Sequence, residues 1–257
     1  MKRLATALVL VPVVVWVVLF GPEWVLLAAL AAVGLLAFRE YDQIAAENGI
    51  PRPGWPGVAA GLALMLAPEP QIVAVFVVLA GMLLALRVPD LRLAMAASAA
   101  FVLGVVYVFG AWRCAVDLHA VNRHWLMFAL LLSWAGDTAA MYAGKSFGRH
   151  KLASRVSPSK TWEGAIASVI GGVLAGVLYA HYFLPSAGTG VAVALAMAGN
   201  IAGQAGDLCE SAMKRGAGVK DSGTSLPGHG GWLDRIDSTL FSIPVVYTLV
   251  KFLVPVI

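Results

Sequence analysis

The chain has 257 residues, of which 60% are apolar and 12% charged, with a mean hydropathy of +0.83 and a formal net charge of +4. Soluble domains are about half apolar and about a quarter charged, so this composition excludes a soluble globular domain and indicates a polytopic membrane protein. The two cysteines, Cys114 and Cys209, are too few for a disulfide framework or a zinc site.

Apolar runs alternate with polar loops along the chain, and each run is close to the ~20 residues that a helix needs to cross the hydrocarbon core. We therefore predict an all-α fold with about nine transmembrane helices. They lie near residues 4–20, 24–38, 55–67, 71–86, 92–112, 125–143, 164–183, 191–208 and 238–256. No small-residue cleavage site follows the first run, so we interpret it as a retained helix rather than a signal peptide.

No internal repeat and no linker divides the chain, which predicts a single membrane domain over residues 1–257. The loops of residues 1–130 are simple turn-formers, so we interpret this part mainly as scaffold helices. Clustered polar residues occur only after residue 133, which makes 133–243 the expected catalytic portion.

The basic residues are distributed unevenly between the two sides of the predicted bundle. Alternating the loops places fifteen of the eighteen Lys and Arg residues on one face, and only Arg113 and Arg123 in loops on the other. The positive-inside rule then predicts that the amino terminus and the long loops 144–163 and 209–237 are cytoplasmic. The positive charge is thus a topology signal and poor support for nucleic-acid binding.

One carboxylate, Asp137, falls in the middle of an apolar span, where an ionised group costs at least ~2.5–3.5 kcal/mol. Such a residue faces the protein interior or a wet cavity. We interpret Asp137 as functional, with a structural ion pair or a polar contact between helices as the alternatives.

A second group of acids lies within 31 residues near the carboxyl-terminal end: Asp207, Glu210, Asp221, Asp234 and Asp237. Packed closely, these carboxylates would repel one another unless a cation lay among them. Asp234 and Asp237 also suit the amino terminus of a helix, which is the alternative interpretation of that pair. Hard oxygen ligands without thiolates favour Mg²⁺, which takes one or two carboxylates and completes its shell with water and phosphate.

Basic side chains share the same two loops with these acids, which suggests that several phosphates bind there. Positive-inside anchoring is the alternative for part of this set: Lys145, Arg149, His150, Lys151, Arg155, Lys160, Lys214, Arg215, Lys220 and Arg235. Glycines at 228, 230 and 231 would let backbone N–H groups approach an anion without hindrance from side chains.

The run "SAMKRGAGVKDSGTSLPGHGGWLDRID" (211–237) resembles the signature of the phosphatidate cytidylyltransferases, or CDP-diacylglycerol synthases. Upstream, "GDTAAMYAGKSFGRHKLASRVSPSKTWEG" (136–164) is similar to a second stretch of that family. Trp232 departs from the usual aliphatic residue, and the first 130 residues match only in being apolar. The resemblance implies transfer of a cytidylyl group from CTP to phosphatidic acid in phospholipid biosynthesis, at the cytoplasmic face of a prokaryotic cell membrane.

The resemblance also implies roles for individual residues. It suggests Asp207 and Asp234 as first metal ligands and Asp221 and Asp237 as further ones, with these four carboxylates and Lys220 as the catalytic set. It suggests substrate contacts for Ser157, Ser159, Lys160, Thr161, Ser211, Lys214, Arg215, His229, Gly230, Gly231 and Arg235. The implied cofactors are Mg²⁺, with Mn²⁺ left open, and K⁺, and a homodimer is the implied assembly.

Two rival functions remain open at this point. A CTP-dependent polyprenol or phytol kinase would transfer the γ-phosphate to an alcohol and would need a base to deprotonate it. A secondary transporter or channel would use the glycines within the spans and Asp137, although the charged residues lie in loops rather than at the midplane.

Overall fold

The computed structural model describes residues 2–225 and 230–254. The helices in this part of the chain are α1 (Lys2–Leu19), α2 (Glu23–Glu47), α3 (Gly54–Leu66), α4 (Pro70–Ala85), α5 (Ala94–Gly104), α6 (Ala111–Val121), α7 (Arg123–Phe147), α8 (Trp162–Phe183), α9 (Thr189–Gly216) and α10 (Leu233–Leu253). A π-helix, Val105–Gly110, joins α5 to α6 without a break. Strands β1 (Lys151–Ala153) and β2 (Ser157–Thr161) form an antiparallel hairpin between α7 and α8.

The predicted all-α membrane fold is confirmed. Within residues 2–225 and 230–254, five helical segments are long and apolar enough to cross a membrane: Glu23–Glu47, Leu91–Val121, Arg123–Phe147, Trp162–Phe183 and Leu233–Leu253. Shorter apolar helices cover Leu10–Leu19, Gly54–Leu66 and Pro70–Ala85. Each predicted span overlaps a helix, while the count of nine transmembrane helices stays a prediction.

Several predicted loops are in fact helical, because helices continue past the apolar residues that cross the hydrocarbon core. The predicted loop 39–54 is helix as far as Glu47. The predicted span 92–112 extends to Val121, so Arg113 is helical, and its Nη1 donates to the carbonyl oxygen of Ala67. Likewise, α9 continues to Gly216 and α10 begins at Leu233, which shortens the predicted loop 209–237 from both ends.

The chain divides into two compact units. Unit 1 comprises residues 1–8, 22–116 and 213–235, and unit 2 comprises 9–21, 117–212 and 236–257. Aromatic rings pack against glycines in unit 1: a Cβ on Gly61 would lie 2.0 Å from the Phe109 ring, and one on Gly104 would lie 2.4 Å from the Tyr41 ring. The Tyr41 hydroxyl donates to the carbonyl oxygen of Ala100 at 2.9 Å. Small residues thus allow α3 to approach the π-helix closely, and α5 to approach α2, as is common between membrane helices.

In unit 2, a buried polar network connects α7, α8 and α9. The Asn200 amide donates to the carbonyl oxygen of Leu132 (3.2 Å) and accepts from Ser168 Oγ (3.3 Å) and Gln204 Nε2 (2.8 Å). Gly136 makes room for this network, since a Cβ there would lie 2.2 Å from Asn200 Nδ2. Hydrogen bonds of this kind hold helices together where apolar burial provides little driving force.

Candidate functional site

A cavity of about 390 Å³ opens in unit 2 between α7, the β1–β2 hairpin, α8 and α9. Its polar lining combines cations, carboxylates, hydroxyls and an amide: Asp137, Lys145, Ser159, Lys160, Thr161, Ser168, Gln204 and Asp207. Asp137, Ser159, Lys160, Thr161 and Asp207 were predicted from the sequence as site residues, and Lys145 belongs to the basic set for which phosphate binding was suggested. The cavity therefore brings together two stretches that lie more than forty residues apart.

Thr161 connects the hairpin to α8 and fixes the position of Lys160. Its Oγ1 accepts a hydrogen bond from Gly164 N at 3.2 Å, which caps the amino terminus of α8. In the hairpin, Thr161 pairs with Lys151. A Cβ on Gly148 would lie 2.9 Å from the Thr161 side chain, so a glycine at the end of α7 lets the hairpin fold back closely. Lys160, one residue earlier, is thereby held at the cavity wall.

An ion pair crosses the cavity between Lys160 and Asp207. Lys160 Nζ lies 2.5 Å from Asp207 Oδ2, and both side chains are only partly exposed. The other Asp207 oxygen, Oδ1, accepts from Ser211 Oγ at 3.3 Å, one helical turn along α9. A carboxylate and an ammonium group thus face the same space, where a phosphate and a cation can compete for them.

Further carboxylates lie near this ion pair. Asp237, in the first turns of α10, is 8% exposed and accepts a hydrogen bond from Ser238 N at 2.7 Å. It lies within electrostatic range of Asp207, Glu210 and Asp137. Within residues 2–225 and 230–254, no three His, Cys, Asp or Glu side chains lie close enough together to form a ready metal cage. The donors are nevertheless all hard oxygens, which suits Mg²⁺ bound by one or two carboxylates.

In unit 1, Asp234 is bound on both of its carboxylate oxygens. Lys214 Nζ hydrogen-bonds to Oδ1, while the backbone N–H groups of Ser222 (2.9 Å) and Gly231 (2.8 Å) donate to Oδ2. Gly230 has a φ of +76°, and a Cβ there would lie 2.5 Å from Asp234 Oδ2. A side chain at 230 would therefore be strained and would also collide with the carboxylate.

Glu40 is a residue of this region that the sequence analysis missed. It lies on α2, is 7% exposed, and accepts hydrogen bonds from Ser222 and from the backbone N–H groups of Trp232 and Leu233. The N–H groups after the glycines at 230 and 231 thus bind a carboxylate of the protein. The apolar residues around Glu40 continue the helical periodicity into the predicted loop 39–54, and this pattern could have identified Glu40 as part of a helix.

The remaining predicted residues have less distinctive surroundings. Ser157 is half-buried in β2, and Arg215 donates to the carbonyl oxygen of Val219 at 3.0 Å. Lys220, Asp221 and Arg235, in unit 1, are exposed. His229, together with Gly228, lies outside the described residues. The substrate and metal roles of all these residues stay predictions.

Comparison with known proteins adds an independent finding. A family model described as "Cytidylyltransferase family" matches residues 1–253. The chain is 33% identical to "Phosphatidate cytidylyltransferase 4, chloroplastic" of Arabidopsis thaliana, over 91% of this chain and 69% of that protein. It is 32% identical to "Uncharacterized protein YnbB" of Escherichia coli (strain K12), over 91% and 82%. It is also 44% identical to "Phosphatidate cytidylyltransferase" of Brucella suis, over 48% of this chain and 45% of that protein.

Proposed function

The chain belongs to the cytidylyltransferase family, and we propose that it transfers a cytidylyl group from CTP to phosphatidic acid, giving CDP-diacylglycerol and pyrophosphate in phospholipid biosynthesis. This substrate pair joins a water-soluble nucleotide to a membrane lipid. An enzyme for it needs apolar helices together with a polar site that both substrates reach. The apolar helices of the chain and its polar-lined cavity support the proposal.

The observation that carries the proposal is the cavity of unit 2. Lys160 and Lys145 supply positive charge to it, and Asp207 and Asp137 supply carboxylates. Ammonium groups bind phosphate oxygens as point charges, and carboxylates bind the divalent cation that accompanies a nucleoside triphosphate. A cavity lined by both ammonium groups and carboxylates suits a metal-bound triphosphate better than an uncharged solute.

The reaction needs one bond made and one broken. An oxygen of the phosphatidate phosphate attacks the α-phosphorus of CTP, the bond from that phosphorus to the bridging oxygen of the β-phosphate breaks, and pyrophosphate leaves. That attacking oxygen is already largely ionised near neutral pH, so no general base is required. Lys160 and Lys145 orient the phosphates and offset the charge on the leaving group, and catalysis is mainly positioning and charge neutralisation.

We further propose that Asp207 and Asp237 hold Mg²⁺, because both are oxygen donors and they lie within electrostatic range of each other in unit 2. When bound, the ion would neutralise negative charge on the phosphates. Asp234 and Asp221 stay candidate ligands on the resemblance alone, as do Mn²⁺ and K⁺ as alternative or additional ions. Lys214, Arg215, Lys220 and Arg235 keep their proposed phosphate contacts on the same basis.

The protein is an integral membrane protein, and we propose that its polar site faces the cytoplasm of a prokaryotic cell. The charge bias of the loops supports this orientation, since it places the hairpin and the α9–α10 connection on the cytoplasmic side. A homodimer is also proposed, on the resemblance alone.

The test is an assay of purified protein in mixed micelles with phosphatidate and CTP labelled at the α- or γ-phosphate. We expect the α-label in CDP-diacylglycerol, the γ-label in pyrophosphate, and no turnover with a chelator. Transfer of the γ-label to a lipid alcohol would instead identify a kinase. Lys160→Met should reduce kcat/KM about ten- to a hundredfold, whereas Lys251→Met, at an exposed lysine near the end of α10, should have no effect.

A further inference from the structure

Glu40 binds the described parts of the segment between α9 and α10, residues 217–225 and 230–232, which we call the signature loop, and the first residue of α10. The Glu40 carboxylate accepts four hydrogen bonds: from Ser222 Oγ (2.8 Å), Ser225 Oγ (3.0 Å), Trp232 N (3.0 Å) and Leu233 N (2.9 Å). A buried carboxylate is tolerated when donors surround it in this way. Its donors come from residues 222–225 and from residues 232–233, so one side chain connects both described parts of the signature loop with α2.

Two glycines of the loop make room for this carboxylate. A Cβ on Gly223 would lie 2.8 Å from Glu40 Oε1, and one on Gly231 would lie 2.1 Å from Oε2. Neither glycine has a positive φ, so the backbone conformation does not require glycine at these positions. The close approach of Glu40 does require it.

Ser222 connects Glu40 to Asp234. Its hydroxyl donates to Glu40 Oε2 and accepts a hydrogen bond from Asp234 N (3.3 Å), and its backbone N–H donates to Asp234 Oδ2. Asp234 in turn pairs with Lys214. A substitution at Glu40 is therefore expected to disturb two of the predicted site residues, Asp234 and Lys214, through Ser222.

We propose that Glu40 is a positioning residue: it holds the signature loop against α2 so that Asp234 and Lys214 keep their orientation. Its effect on turnover rests on the proposed function, while its effect on the loop does not. Removal of Glu40 should leave substrates able to bind but the groups at Asp234 misplaced. The loss should consequently appear mainly in kcat rather than in KM.

The first experiment compares Glu40→Gln with Glu47→Gln, a matched change at an exposed position of the same helix. A glutamine at position 40 keeps the shape of the side chain but replaces one carboxylate oxygen with an NH₂ group. That NH₂ group would face the hydroxyl and backbone N–H donors that the oxygen accepted from. We expect amide exchange of Trp232 and Leu233 in detergent to accelerate about tenfold or more in Glu40→Gln, and kcat to fall by a similar factor with little change in KM. Glu47→Gln should change neither.

The second experiment uses Gly223→Ala alone and combined with Glu40→Ala. Among the described residues, the three atoms nearest to the new methyl group would all belong to Glu40. We therefore expect Gly223→Ala to lower kcat in the wild-type background and to have no further effect once Glu40 is alanine. Additive effects would overturn the proposal, as would unchanged exchange at Trp232 and Leu233. Absence of CDP-diacylglycerol formation by the wild type would instead overturn the proposed function, and the exchange measurement would still decide the role of Glu40.

Discussion

The buried ion pair between Lys214 and Asp234 allows stability and catalysis to be separated experimentally. The side chains are 9% and 6% exposed, respectively. Removing one member of a buried pair leaves an uncompensated charge, so we expect Lys214→Met and Asp234→Asn each to lower the free energy of unfolding by about 3–5 kcal/mol. The same substitution at Lys251, which is exposed, should cost nothing measurable.

The double variant Lys214→Met/Asp234→Asn should recover most of this loss. Both backbone bonds to Asp234, from Ser222 and Gly231, end on Oδ2, while Lys214 binds Oδ1. An asparagine with its oxygen at the Oδ2 position keeps both backbone bonds, and its amide nitrogen then faces a methionine instead of an ammonium group. Neither position 214 nor position 234 then carries a buried charge, and such replacements are often nearly neutral.

The assay is reversible unfolding in mixed micelles with increasing SDS, followed by circular dichroism, with CDP-diacylglycerol formation measured on the same samples. A double variant whose loss equals the sum of the two single losses would refute the reasoning. Activity then decides a separate question. If the stable double variant turns over CTP at the wild-type rate, Asp234 is not a metal ligand.

Asp207→Asn should remove most activity with little change in stability, measured as turnover across a Mg²⁺ titration; near-normal turnover at saturating Mg²⁺ would contradict its role as a ligand. Lys220→Ala should lower kcat/KM about ten- to a hundredfold and raise the KM of the substrate whose phosphate it holds, whereas a fall in kcat alone would argue against that contact. Single cysteines at Arg155 and Gly218, in a cysteine-free background, should resist an impermeant reagent applied to intact cells, and labelling from outside would reverse the topology. Gly136→Ala should cost about 1–3 kcal/mol in SDS unfolding, because its methyl group would collide with Asn200; an unchanged midpoint would show that the network repacks freely.

The helices were predictable because membrane crossing needs an apolar run of fixed length, and such a run is recognised from consecutive residues alone. Their ends were less predictable. Polar residues such as Arg39, Glu40 and Arg113 were placed in loops, although each continues a helix beyond its apolar part. Hydropathy marks the hydrocarbon core, whereas the helix ends where its backbone hydrogen bonds end, and these two boundaries need not coincide.

The cavity was partly predictable. The stretch around Lys160 and the acid Asp207 were both identified, because charge is conspicuous in an apolar chain. The hairpin that presents Lys160 was not predicted, since its strands have three and five residues and the capping role of Thr161 depends on the fold. The partner of a charged residue is a tertiary property, which single-sequence patterns do not encode.

For Glu40, the burial of the side chain was predictable from the sequence but its hydrogen-bond partners were not. Its burial could have been inferred from the spacing of Ala37, Tyr41 and Ile44, which are buried on the same helix. Its partners could not, because they are 182 to 193 positions away. Gly231 was interpreted as one of the glycines that let backbone N–H groups approach an anion, whereas it and Gly223 lie where the protein's own Glu40 carboxylate approaches the loop.

The long sequence separation between Glu40 and its hydrogen-bond donors has a consequence for biogenesis. α2 leaves the ribosome long before the signature loop is synthesised, and at roughly 5–20 residues per second the interval is about 10–40 s. Throughout that time the nascent protein carries Glu40 on an apolar helix without the four donors that later surround it. The early helices are therefore expected to stay near the translocon or an insertion chaperone until the last helix enters the bilayer. Chains that end before residue 222 would carry the Glu40 carboxylate without its hydrogen-bond donors, and we expect quality-control proteases to degrade them.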